Sequence, residues 1–200
     1  MTTTARRAPS ELAARVLTEA LAPAVLVATL LVLVGWHAGV AVGAGRWWGL
    51  PAALFCAIIP FAYIVRGVRR GRLTDHHIAI REQRRVPLVF GVLSVLAGLV
   101  VMVVFHAPRE LTALVVAGAV GLIVCAAVTH WWKLSIHTAV ASGTATTLVL
   151  VYGWGWVLAG TAVALIGWAR VRLRAHTPAQ VLVGAAIGAA IAATVFPALR

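Results

Sequence analysis

Charged residues, and acidic residues above all, are scarce in this chain. Only 11% of the 200 residues are charged, and five of them are acidic, with Asp75 as the single aspartate. Soluble domains carry about 25% charged residues, so the chain is not an ordinary soluble domain. The lack of aspartate also excludes an intramembrane prenyltransferase, because such an enzyme needs clustered aspartates to hold magnesium on a diphosphate.

Cysteines and metal-binding motifs are equally sparse. Cys56 and Cys125 both lie within apolar runs, where a free thiol packs as a small core side chain, and we expect no disulfide between them. Neither a C-x-x-C nor an H-E-x-x-H motif occurs. The sequence therefore predicts no metal site and no other cofactor.

Long apolar runs make up most of the chain. Hydrophobic residues account for 62% of it, and the mean hydropathy is +0.98. A membrane-spanning helix needs about 20 mostly apolar residues, or somewhat fewer when its flanking residues snorkel. Seven runs approach this length: 21–42, 48–65, 88–105, 111–129, 138–151, 157–168 and 179–197. They predict an all-α, polytopic transmembrane bundle of about seven spans.

The predicted bundle forms one integral membrane domain over residues 1–200. Its first 20 residues are basic and include a short interfacial helix over 11–20. The first apolar run resembles a signal peptide, but its length and the six runs that follow favour a retained anchor. Whether the protein forms a homo-oligomer is left open by the sequence.

Cations are concentrated at one end of the predicted bundle. The net charge of +12 would suggest a nucleic-acid partner in a soluble protein. Here the cations lie in loops between apolar runs, so we expect the bilayer to be the partner and not nucleic acid. Fourteen fall on one face, against three on the other: Arg6, Arg7, Arg15, Arg66, Arg69, Arg70, Arg72, Arg81, Arg84, Arg85, Lys133, Arg170, Arg172 and Arg174. The positive-inside rule therefore predicts a plasma-membrane protein with this face in the cytoplasm.

One polar segment precedes the last apolar run. Arg170 leads into His176, and Thr177 with Pro178 is typical of the N-cap and first turn of a helix. His176 would then lie beside the positive end of a helix dipole, where phosphate binds readily. Gln180 follows His176 by one helical turn and could hydrogen-bond its imidazole. The alternative is a snorkelling cluster that only sets topology.

A second polar segment precedes the fifth apolar run. Ser135 is placed to cap the helix, Lys133 adds a positive charge, and His137 falls on the first turn. These groups and the free N–H groups of a helix start could hold a phosphate.

A third segment on the same face carries Arg81, Arg84 and Arg85, whose guanidinium groups could bind phosphate oxygens in pairs. A solvated loop against anionic lipid would also account for arginines in that segment.

These three segments, in this order, resemble the motifs of the type 2 phosphatidic acid phosphatase family, within the lipid phosphate phosphatase and vanadium haloperoxidase superfamily. The family pattern is K-x6-R-P, then P-S-G-H, then S-R-x5-H-x3-D. The third motif matches from Arg170 to His176, with Gln180 in place of the acid. The second keeps Ser135 and His137 but lacks the proline and glycine, and the first is degenerate. The matching region lies within residues 75–188, and the family's six-helix core would leave one additional span.

The resemblance implies a role for each matching residue. His176 would be the nucleophile that forms a phosphohistidine, and His137 the general acid for the leaving alcohol. Six further residues would hold the phosphoryl oxygens: Arg81, Arg84, Arg85, Lys133, Ser135 and Arg170. An amide at Gln180 can orient His176 but cannot stabilise its cationic form as a carboxylate would, so we expect a slower enzyme or help from Asp75 or Glu82.

The function predicted from the sequence is a metal-independent phosphatase that acts on a lipid-linked phosphate or diphosphate, of the polyprenyl phosphate or phosphatidic acid type. Two alternatives stay open. The chain could be a non-catalytic, lipid-binding or scaffolding member of the family, or a phosphotransferase that passes the phosphoryl group to an alcohol. A transporter is disfavoured because the polar residues lie at one interface and not at mid-membrane.

Overall fold

The computed structural model describes residues 8–78 and 80–200. These residues are 82% helical and include no strand, which confirms the all-α prediction. We number eight helices: α1 (Pro9–Ala20), α2 (Pro23–Ala41), α3 (Gly49–Arg69), α4 (Arg85–Val104), α5 (Arg109–Trp131), α6 (Ile136–Tyr152), α7 (Gly160–Arg172) and α8 (Pro178–Leu199). Short 3₁₀ turns, Arg81–Arg84 and Trp154–Ala159, lead into α4 and α7.

Six helical segments in the described part of the chain are long and apolar enough to cross a membrane, and α6 is a shorter apolar helix of 17 residues. The protein is therefore an integral membrane protein. Several spans extend beyond their predicted apolar runs: α3 continues to Arg69, the third span begins with the 3₁₀ turn at Arg81, and α7 continues to Arg172. Arginine tolerates these positions because its aliphatic stem lies along the apolar surface while its charged end reaches water.

The second span contains an irregularity that the sequence did not predict. Residues Leu54–Ile58 form a π-helical segment inside α3. Pro60 lacks the N–H that would bond to Cys56, which favours a break in the regular hydrogen-bond pattern here. The Ser94 hydroxyl of α4 donates to the carbonyl of Phe55 at 2.6 Å, so the altered backbone is fixed against a neighbouring helix.

Helices α6 and α8 run in the same direction and approach each other closely. The N–H of Ser135 donates to the carbonyl of Gln180 at 3.2 Å, and the Ser142 hydroxyl donates to the carbonyl of Ala185 at 2.7 Å. Glycine is required at this interface, because a Cβ at Gly188 would collide with the carbonyl of Ala139. The two helices therefore begin side by side at the same end of the bundle.

The ends of the bundle differ in character. We call the end formed by segments 70–78, 132–135 and 173–177 the histidine end. There the Arg81 guanidinium donates to the carbonyls of His130 and Trp131 at 3.2 and 3.1 Å. At the opposite end Arg109 donates to the carbonyl of Leu199 at 3.0 Å. Side-chain to backbone bonds thus close the bundle at both ends, and the three motif segments lie together at one of them.

Candidate functional site

A cavity of about 1030 Å³ opens at the histidine end, between α2, α3, α4 and α6. Its charged and imidazole side chains are Glu19, Arg66, Arg69, Arg70, His76, His77, Arg84, His137 and His176. Apolar side chains from the spans line the remainder, among them Val27, Ala28, Cys56, Phe61, Leu88 and Val95. The cavity thus joins a charged end to an apolar interior.

Two helix N-termini are held next to this cavity. Ser135 caps α6, its hydroxyl oxygen accepting from the N–H of Thr138 at 3.4 Å. Thr177 and Gln180 form a capping box at the start of α8, with Pro178 at the first helical position. Both caps confirm the helix starts predicted from the sequence. Because α6 and α8 run in the same direction, the positive ends of two helix dipoles point to the same region.

Gln180 determines which nitrogen of His176 carries the proton. The side-chain oxygen of Gln180 lies 3.1 Å from the N–H of Thr177 and 3.2 Å from Nδ1 of His176. A backbone N–H can only donate, so the amide atom facing it is the oxygen, and an amide oxygen can only accept. Nδ1 of His176 therefore carries the hydrogen. Nε2 is left with the lone pair that a nucleophile needs.

The environment of His176 keeps its imidazole uncharged. Burial is the main cause, and the nearby cations Arg170, Arg84 and Lys133 act in the same direction, so that the pKa of His176 falls to about 3. The hydrogen bond to Gln180 opposes this effect only in part. At neutral pH the side chain is thus a neutral base surrounded by positive charge.

His137 lies on the first turn of α6 and is 6% exposed. Its ring is 5.1 Å from that of His77, centroid to centroid, in an edge-to-face arrangement. Among the described residues its buried Nε2 atom has no hydrogen-bond partner. A buried polar atom without a partner costs about 1–3 kcal/mol, so an atom of this kind that lines a cavity is suited to a ligand.

Two arginines are buried beside the histidines. Arg84 and Arg170 are each only 4% exposed. Arg84 donates to the carbonyl of Ile78 at 2.9 Å and to that of Leu134 at 3.3 Å. Within residues 8–78 and 80–200, the Nε atom of Arg170 is buried without a partner. A buried guanidinium with an unused donor, next to a second buried guanidinium, forms an environment that favours an anion.

The remaining sequence-predicted residues divide into two groups. Lys133 precedes Leu134, whose carbonyl accepts from Arg84, and burial and the charges of Arg84 and Arg170 lower its pKa. Ser135 is fully buried in its capping role. Arg81 instead pairs with Glu82 at 3.3 Å and binds carbonyls at the end of α5, while Arg85 is exposed. Of the three arginines predicted to bind phosphate in the first motif, only Arg84 reaches the cavity wall.

The side chain that contacts His176 Nδ1 is that of Gln180 and not one of the predicted helper acids. Glu82 extends outward and pairs with Arg81. Asp75 accepts a hydrogen bond from the Thr74 hydroxyl at 3.2 Å, and its charge acts on Lys133. The third group in the site is therefore the amide that departs from the family pattern.

A cluster of Glu19, His76 and His77 at the opening of the cavity was not predicted from the sequence. The sequence places His76 and His77 in a charged loop without indicating a role for them, and it does not single out Glu19. In the structure both histidines contact Glu19, the closest distance being 2.9 Å from His77 Nε2. No local spacing links Glu19 to a histidine 57 residues away, so only the tertiary structure could reveal the contact.

Comparisons of the chain with protein-family models, with curated proteins and with solved structures found no match. The case for a function therefore rests on the residues and their geometry.

We predict that His176 is neutral from pH 8 to about pH 4, with its proton on Nδ1. Since its pKa is lowered from the ordinary value of 6.5 to about 3, acidification through pH 6 should leave the ring uncharged. Nitrogen NMR of the ¹⁵N-histidine-labelled protein in detergent, with His176→Gln for assignment, measures both the tautomer and the titration. A Gln180→Leu variant should lose the tautomer preference. Titration near pH 6.5, or a proton on Nε2, would contradict the assignment.

Proposed function

We propose that the protein is a metal-independent phosphatase that hydrolyses a lipid-linked phosphate or diphosphate through a phosphohistidine intermediate. The observation that carries the proposal is the burial of Arg84 and Arg170 next to two buried histidines, with Arg170 Nε and His137 Nε2 lacking partners among the described residues. The resemblance of the three motifs to the type 2 phosphatidic acid phosphatase family adds to this support.

Electrostatics favours a multiply charged anion as the ligand. Arg84, Arg170 and Lys133 bring three positive charges to one region, and α6 and α8 add their positive N-terminal ends. Removing cations from water is costly unless hydrogen-bonded anions compensate them. A phosphate offers several acceptor oxygens with the spacing that guanidinium forks match.

The chemistry follows from the two imidazoles. Nε2 of His176 attacks phosphorus, the bond from phosphorus to the leaving oxygen breaks, and His137, which takes up a proton when the anionic phosphate binds beside it, gives that proton to the leaving oxygen. Water then attacks the phosphohistidine, its proton passes to His137, and the phosphorus–nitrogen bond breaks to release phosphate. The neutral, Nδ1-protonated state of His176 suits the first step, because the lone pair is then available. Arg84 and Arg170 would stabilise charge on the pentacoordinate transition state.

The shape of the cavity favours a lipid as the leaving group. Its charged residues and histidines lie toward the histidine end, while mostly apolar side chains of α2, α3 and α4 line the rest. A volume of about 1030 Å³ lies at the upper end of ordinary ligand pockets and has room for part of a long hydrocarbon chain. A water-soluble phosphate ester would leave this apolar surface unused.

The test of the proposal is phosphate release from a panel of polyprenyl phosphates, polyprenyl diphosphates and phosphatidic acids in detergent. We expect turnover that persists with a chelator and falls at least about 1000-fold in His176→Ala. His130→Ala is the matched control, because His130 lies at the same end of the bundle but is exposed. No release from any lipid phosphate, by a folded protein that still binds these lipids, would instead favour the non-catalytic, lipid-binding alternative. Transfer to an added alcohol in place of water would favour the phosphotransferase.

Arg84 and Arg85 are adjacent in the sequence, but only Arg84 lines the cavity, so only a substitution of Arg84 should lower kcat/KM strongly. Arg84→Lys keeps the charge but loses the planar fork, and we expect kcat/KM to fall about 100-fold, the scale of losing one transition-state donor. Arg85 is exposed, so Arg85→Lys should change kcat/KM less than about twofold. Steady-state kinetics on the best lipid substrate measures both. Equal losses in the two variants would contradict the assignment of Arg84.

Gln180→Glu tests the departure from the family pattern. A glutamate would keep the acceptor for His176 Nδ1 and add a negative charge that stabilises the phosphoimidazolium, so kcat should rise by about tenfold, or about 1.4 kcal/mol. Gln180→Leu removes the acceptor and should lower kcat. Single-turnover measurements isolate the phosphorylation step. If glutamate and leucine reduce that step equally, the site requires a neutral acceptor.

We also propose that the histidine end faces the cytoplasm of a plasma-membrane protein, because the order of the apolar runs assigns fourteen of the 17 basic residues to that face. A single cysteine at exposed Arg72, in a background with Cys56 and Cys125 replaced by alanine, reports the side. A membrane-impermeant maleimide should label it only after the cells are opened. Labelling of intact cells would reverse the orientation, and a cysteine at Arg46 gives the matched opposite-face control.

A further inference from the structure

A second cluster of titratable side chains lies at the mouth of the cavity. Glu19 comes from the last turns of α1, and His76 and His77 from the segment between α3 and α4. Nε2 of His77 is 2.9 Å from one carboxylate oxygen of Glu19, and Nε2 of His76 is 3.1 Å from the other. Two imidazole nitrogens from one loop thus converge on one carboxylate from a distant helix.

The spacing of these atoms is close to that of a metal-binding site. The three ligand atoms all lie within 4.8 Å of one another. In a tetrahedral zinc site with bonds of about 2.0–2.1 Å, neighbouring ligand atoms are roughly 3.3 Å apart. The nitrogen–oxygen distances of 2.9 and 3.1 Å fall just below this value, so small side-chain movements would admit an ion.

We propose that Glu19, His76 and His77 bind a divalent transition-metal ion of the zinc type. Two imidazoles and one carboxylate form a ligand set that favours such ions over magnesium and calcium, which prefer oxygen ligands alone. Three protein ligands leave a fourth position open for water. The proposal differs from the sequence-based expectation of no metal, which was drawn from short local motifs that cannot include Glu19.

Such an ion would link the N-terminal helix to the loop over the cavity. At its other end α1 is already held by the Arg172 guanidinium, which donates to the Ser10 hydroxyl at 2.9 Å. The ion would fix the end of α1 that borders the cavity, since Glu19, His76 and His77 all line it. The proposed phosphohistidine chemistry uses none of these three ligands, so the metal proposal does not depend on the phosphatase proposal.

The experiment measures metal binding without substrate. The full chain, purified with a tag free of histidine and stripped with chelator, is titrated with Co²⁺ and then with competing Zn²⁺, and visible absorption reports the ligand field. We expect one saturable site per chain, with affinity reduced at least about tenfold in Glu19→Gln, His76→Ala and His77→Ala. His130→Ala is the matched control and should bind as the wild type does. Zn²⁺ should raise the Tm of the wild type and not that of Glu19→Gln.

The design separates loss of ligand from loss of fold and from binding elsewhere. The Glu19 and His76 side chains are 58% and 41% exposed, so truncating them leaves the core intact. Binding that is unchanged in Glu19→Gln and His76→Ala would overturn the proposal. Binding that disappears in His137→Ala or His176→Ala, but survives in Glu19→Gln, would overturn it too, because the ion would then occupy the phosphate site. A wild-type protein that shows no saturable binding of Co²⁺ or Zn²⁺ would also overturn it.

Discussion

The parallel contact between α6 and α8 is the constraint on which the candidate site depends. Backbone can meet backbone there because Gly184 and Gly188 carry no side chain, and the polar side chains of Thr138 and Ser142 donate across the interface to carbonyls of α8. Such bonds exist only when the two helices are in one register. That register places the start of α6, with His137, beside the start of α8, with His176 just before it.

The same contact explains the electrostatics of the site. Two N-termini, two buried guanidinium groups and a partly buried ammonium all present positive charge to a region that is shielded from water by its burial. In this setting histidine behaves as a neutral base, which is why His176 has a pKa of about 3 and not 6.5. A bound anion would remove much of this unfavourable charge, so ligand binding and stabilisation of the histidine end are coupled.

The parts of the fold with local signals could be predicted from the sequence. Ser135, Thr177 and Pro178 indicate helix starts through their own chemistry, and the distance from His176 to Gln180 is one helical turn whatever the tertiary structure. The spans were recognisable from apolar length, although their ends at Arg69 and Arg81 were not, because arginine can continue a helix to the interface.

What could not be predicted depends on packing between distant segments. Arg84 lines the cavity and Arg81 and Arg85 do not, because the 3₁₀ turn directs Arg84 inward, where it donates to the carbonyls of Ile78 and Leu134. No motif spacing encodes these contacts. The meeting of Glu19 with His76 and His77 requires α1 to lie against the loop. The π segment Leu54–Ile58 is likewise held by a hydrogen bond from Ser94 in the next span.

Lys133 is the only lysine among 200 residues, and the chain's other 16 basic residues are arginines. Burial and the charges of Arg84 and Arg170 lower the pKa of its amine, which increases the uncharged, reactive fraction at neutral pH. The one side-chain amine of the protein therefore lies near the two buried arginines of the candidate site. An amine-directed acylating reagent, or an enzyme that acetylates lysine, would therefore modify a single side chain of this protein, that of Lys133.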